Sequence, residues 1–166
     1  GAVKLAFQDE FDSINTFDCN NTGDSGYNWY IDSDMNRTKP TTEDYTILKE
    51  RDGAKGVLAL EPVTNRTFDF ATYSRKGRTG YLWHYGYAEC RMRFDVENVP
   101  LALAQGGPRE GWHSFWARDI RDYIHTGWKD TVELDMMEAW PFKVNYPEQG
   151  ISFSGSIHHW IHHSVT

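Results

Sequence analysis

The chain has 166 residues, a net charge of −7 and an aromatic content of 15%, with seven Trp among them. That length supports one domain with a real core, and the acidic balance excludes phosphate backbones and anionic lipids, so neither nucleic acid nor membrane is an expected partner. No apolar run approaches the ~20 residues of a membrane-crossing helix.

The opening Gly1-Ala2-Val3 reads as a processed end, compatible with a removed leader. Asn20, Asn36 and Asn65 each begin an Asn-x-Thr sequon, and Cys19 and Cys90 permit one disulfide without requiring it. The expectation is a secreted protein, extracellular or periplasmic. Going along the chain, short runs rich in β-branched and aromatic residues recur at Tyr45–Leu48, Val57–Leu60, Tyr87–Phe94, Ser114–Ala117, Val132–Glu138 and Ile151–Trp160. Turn clusters such as Asn20–Gly26 and Gly106-Gly107-Pro108 separate them, a spacing that predicts an all-β sandwich or barrel. Val57–Leu60 is short and continuously apolar, as in a strand buried on both sides. Tyr87–Phe94 alternates, with Ala88, Cys90, Met92 and Phe94 on one face, the pattern of a half-buried strand. Residues 99–109 read as a long connection, and Asp119–His125 as one or two helical turns.

The most informative run is Thr131-Val132-Glu133-Leu134-Asp135-Met136-Met137-Glu138-Ala139-Trp140. In a regular strand Glu133 and Asp135 share a face and Glu138 takes the other. One β-bulge between Asp135 and Glu138 would bring all three acids into one cleft. The two Glu Cα atoms would then stand roughly 13 Å apart, close enough for leaning side chains to approach. Two carboxyls of this kind suit glycoside hydrolysis, where one must be ionised to attack and the other protonated to assist the leaving oxygen. The plainer reading is a solvated acidic face with Met136 and Met137 in the core. The abundant aromatics suit either a β-rich core or a sugar groove.

Other clusters carry less. His158-His159-Trp160-Ile161-His162-His163 invites a metal reading, but no Glu completes a His-Glu-x-x-His motif, and no metal ligand is assigned. Ser114 and Ser154 lack a nucleophile elbow, and Gly106-Gly107 opens no phosphate loop. Asp9, Glu10 and Asp12 could hold a structural calcium ion, with solvated turn carboxylates the plainer reading; no other cofactor is expected.

Glu133-Leu134-Asp135-Met136-Met137-Glu138 resembles the active-site signature of glycoside hydrolase family 16 in its bulged form, the form of laminarinases, agarases, porphyranases and carrageenases. Further landmarks follow in the family's order. Phe7-Gln8-Asp9-Glu10-Phe11-Asp12 resembles its opening strand, with Trp29 behind it. Tyr85-Gly86-Tyr87-Ala88-Glu89-Cys90-Arg91-Met92 resembles a Tyr-Gly-x-x-Glu-Ala-Arg strand. Gly111-Trp112-His113-Ser114-Phe115-Trp116 resembles a Trp-Pro-Ala-Phe-Trp segment, with His113 in place of Pro, and Ser156-Ile157-His158-His159-Trp160 the strand after the active site. The resemblance implies an antiparallel β-sandwich of the concanavalin-like jelly-roll kind, spanning residues 1–166 as a single domain that lacks its C-terminal strands. It implies Glu133 as nucleophile, Asp135 as its assistant and Glu138 as general acid/base. Trp112, Trp116, Trp128 and Trp140 become sugar platforms, and His158 or His159 a polar neighbour of the reaction centre. The implied activity is retaining endo-hydrolysis of a polysaccharide, a β-1,3- or mixed-linkage glucan first and red-algal galactans second. A non-catalytic glycan-binding module, or a half-enzyme completed by a second chain or a strand-exchanged copy, is the competing expectation.

Overall fold

A computed structural model of the chain describes residues 4–31, 44–60, 69–93, 113–121, 130–140 and 152–161. Among the described residues strands dominate and helix is nearly absent, consistent with an all-β chain. It divides into two compact units, Gly1–Gly86 and Tyr87–Thr166.

The first unit is held by aromatic packing. β1 (Phe17–Asp18) pairs in parallel with β2 (Trp29–Tyr30) over two residues. The Phe17 ring, buried at 2% exposure, packs edge-on to Phe70 at 5.1 Å and at 6.2 Å against each of Trp29 and Tyr45. Each such ring pair adds about 0.5–1.5 kcal/mol beyond the area it buries. β3 (Tyr45–Arg51) and β4 (Ala54–Leu60) form an antiparallel hairpin. Its turn residues Asp52 and Gly53 have φ of 53° and 77°. Left-handed backbone at both centres is the primed-turn geometry that matches strand twist. A second hairpin joins β5 (Tyr73–Ser74) to β6 (Thr79–Gly80).

Two carboxylates, one buried and one half-buried, order the loops between these strands. Asp18, 1% exposed, accepts the backbone N–H groups of Thr22 and Gly23 and the Thr22 hydroxyl. Asp9 accepts the Phe11 N–H, the Asn28 amide and the Trp29 indole N–H, each at 2.8 to 2.9 Å. These bonds occupy both oxygens of Asp9 in ordering the turn.

Among the described residues the second unit holds a three-stranded antiparallel sheet in the order β7 (His113–Arg118), β8 (Asp130–Trp140), β9 (Ser152–Ile161). Its central strand carries the acidic run.

Several expectations need correction. The segment 87–93 forms no strand and is exposed throughout, despite its alternation; among the described residues nothing pairs with it, and an unpaired strand has no ladder to hold it. The opening segment 7–12 is likewise irregular, its turn set by Asp9. Val57–Leu60 is not buried on both sides: only Ala59 is buried and Leu60 is 45% exposed. Its strand has one ladder partner, β3, among the described residues. The disulfide that the sequence left open is absent, and Cys19 and Cys90 are free thiols. Of Asp119–His125, residues 120–121 are helical and the remainder lies outside the described residues, as do the connection 99–109, Asn36, Asn65, Trp112, Trp128, His162 and His163.

Candidate active site on a bulged strand

The register places every acid of β8. With β9, Glu133 faces His158, Asp135 faces Ser156 and Glu138 faces Ser154. With β7, Glu133 faces Arg118, Asp135 faces Trp116 and Glu138 faces Ser114. On both sides β8 uses one residue more than its neighbour between Asp135 and Glu138, so the strand carries a bulge there. Directly opposed residues project from the same side of a sheet. Three rows therefore line one face: Arg118–Glu133–His158, Trp116–Asp135–Ser156 and Ser114–Glu138–Ser154. Gly155, between the two serines, lets the bulge approach: a Cβ there would stand 3.3 Å from the Asp135 carbonyl oxygen and 3.4 Å from that of Met136.

Asp135 is 3% exposed. Its Oδ2 accepts the Ser156 hydroxyl at 3.1 Å and lies 2.9 Å from His158 Nε2, which is itself 3.1 Å from Ser156 Oγ. Assigning the imidazole proton to Nε2 satisfies all three atoms: the serine donates to the carboxylate, and the imidazole N–H points into the same pair. Glu133 is half-buried, and its Oε2 accepts the Trp160 indole N–H at 3.1 Å. The Trp160 and His158 rings stack with centroids 5.3 Å apart. Burial raises the proton affinity of Glu133, and the Asp135 charge raises it further; the Trp160 bond and the charges of Arg118 and His158 oppose them. Glu138 is half-buried on the same face. Donor atoms of Glu133, Asp135 and His158 all lie within 4.8 Å of one another, a grouping that does not include Glu138.

The other face of this sheet is apolar and open. Val132, Leu134, Ile157 and Ile161 are 45, 41, 74 and 58% exposed. His159 belongs to this back face, where its imidazole pairs with Asp130. Of the two histidines expected near the carboxylates, only His158 is there, because neighbours on a strand point to opposite sides. Trp116 lies in the Asp135 row. The backbone of Trp140 ends β8 opposite Ser152. Sequence alone assigns no role to Ser156, Trp160 and Arg118. Alternation through β9 from His158 would have brought in Ser156 and Trp160; Arg118 required the pairing with β7.

No family model, curated protein or solved structure matches the chain. The case for its function rests on this geometry and on the sequence motifs.

Proposed function

We propose that the chain is a retaining endo-glycosidase of the family 16 kind, cleaving internal β-linkages of a secreted-environment polysaccharide, a β-1,3- or mixed-linkage glucan. The bulge in β8 carries this reading, because it returns Glu138 to the face of Glu133 and Asp135. A merely solvated acidic strand has no use for an extra residue that breaks its own ladder.

In this mechanism the Glu133 carboxylate attacks the anomeric carbon while Glu138 gives its proton to the glycosidic oxygen, and the bond to the leaving sugar breaks. The resulting glycosyl ester on Glu133 is hydrolysed when Glu138, now a carboxylate, takes a proton from water. That water attacks the same carbon and Glu133 leaves as the carboxylate. Two inversions give net retention. The Trp160 N–H and the charge of Arg118 favour the anionic nucleophile. Asp135, anchored by Ser156 and His158, sets a second negative charge near the nucleophile, and burial and that charge work against ionisation of Glu133. Trp116 serves as a sugar platform, the role the family 16 resemblance also implies for Trp112, Trp128 and Trp140. A sandwich of the jelly-roll kind suits the exposed back face, since Val132, Leu134, Ile157 and Ile161 are what a second sheet would cover.

Reducing-end release from laminarin, mixed-linkage glucan, agarose, porphyran and carrageenan tests the proposal. Release is expected from a glucan, with anomeric configuration retained, and is lost in Glu133→Gln. In Glu138→Gln turnover falls by about 10²–10⁴-fold, the usual worth of a general acid/base. A folded chain that binds one of these polymers and releases no ends is a glycan-binding module instead.

A further inference from the structure

We propose that Glu133, Asp135 and His158 form a binding site for a divalent transition-metal ion of the zinc class. The three side chains come from two adjacent strands, and their donor atoms already lie within 4.8 Å of one another. His158 Nε2 and Asp135 Oδ2 stand 2.9 Å apart. Two ligands each ~2.0–2.2 Å from a tetrahedral zinc ion stand roughly 3.4 Å apart, so an opening of about half an ångström admits the ion. The His158 proton that bridges the pair is what the ion replaces. Imidazole with two carboxylates favours zinc, nickel or copper over calcium and magnesium, which prefer all-oxygen shells.

Two features support a built site. Ser156 Oγ donates to Asp135 Oδ2 at 3.1 Å, a bond that a ligating carboxylate oxygen keeps and that orients Asp135, while the Ser156 contact with His158 Nε2 gives way to the ion. Thr131 stands on the same face, two residues before Glu133, with no exposed surface, and its Oγ1 has no hydrogen-bond partner. A buried hydroxyl left open one row from Glu133 marks a polar network lacking a partner. The site is distinct from the histidine-rich run as a run, since His159 points to the back face and pairs with Asp130.

Three protein ligands leave a coordination position open, as in zinc sites that bind an exogenous group. The ion nevertheless engages the carboxylate that would attack the sugar. Where the proposed hydrolase activity holds, zinc therefore blocks turnover and a chelator restores it. That consequence rests on the functional reading; the binding itself does not.

Calorimetric titration of the chelator-treated chain with zinc chloride tests the site directly. One zinc per chain is expected, weakened at least about ten-fold in Glu133→Gln and in His158→Ala, and unchanged in His159→Ala. Circular dichroism establishes that each variant is folded, and His158→Asn stands in if His158→Ala is not. Absence of binding in the parent chain overturns the proposal. So does binding that survives both ligand changes, or that is lost in His159→Ala. Hydrolysis without zinc binding sinks the metal site alone; zinc binding without hydrolysis sinks the hydrolase alone.

Discussion

Glu133 and Asp135 show how one strand face gives two carboxylates different tasks. Asp135 is almost wholly enclosed but has two partners, so its cost of burial is offset by hydrogen bonds. Burial and the like charge of Asp135 raise the proton affinity of Glu133 against the opposing pull of its one indole bond. A carboxyl whose folded pKa is raised holds its proton more tightly in the folded state than in the unfolded one. Its stabilising contribution is complete below the ordinary carboxyl range, about pH 4.3, and is lost as pH climbs through the raised value. Above that, the charged Glu133 is a net cost. Glu133→Gln removes the charge and keeps an acceptor for Trp160. In chelator-containing buffer the variant is expected to melt higher than the parent at pH 7, with the gain vanishing near pH 4. For a chain of this size each 1 kcal/mol corresponds to about 2–4 °C. Equal melting points at pH 7 would mean that Glu133 carries no such strain.

At the scale of elements, the bulge of β8 depends on its neighbour as much as on its own residues. Gly155 leaves the only room for the extra residue to approach β9, with carbonyl oxygens 3.3 and 3.4 Å from where a side chain would begin. Gly155→Val is expected to cost about 1–3 kcal/mol through overpacking, read as a drop in melting temperature, and to disturb the alignment of Glu138. A variant as stable as the parent would mean the bulge has slack. The bulge was legible in the sequence because acids at 133, 135 and 138 can share one face of a strand only with an added residue. The strands β3, β4, β7, β8 and β9 were legible too, since each combines strand-forming residues with turn signals at its ends. Tyr87–Phe94 was not, although its alternation was the clearest in the chain. Alternation tells which face a residue would take, not whether a partner strand exists. For the same reason sequence could not choose between His158 and His159, which register separates at once. The Asp52-Gly53 turn, a strong hairpin signal in the sequence, joins β3 to β4.

At the scale of the whole molecule, the polar and apolar sides of the β7–β9 sheet trade their usual places. Its acidic face holds the buried Thr131 and Asp135, while Leu134 and Ile157, paired across two strands, face water on the back. With a net charge of −7 and an isoelectric point near 5.4, the chain is kept apart from its copies by charge at neutral pH. Turbidity is expected to peak near pH 5.4, and Ile157→Lys to reduce it by breaking the back patch. A turbidity profile that Ile157→Lys leaves unchanged would place the sticky surface elsewhere. The practical outcome is colloidal: the Leu134–Ile157 pair sets a ceiling on how concentrated this protein can be kept, and added salt, by screening mutual repulsion, lowers that ceiling well before it reaches the enclosed carboxylates.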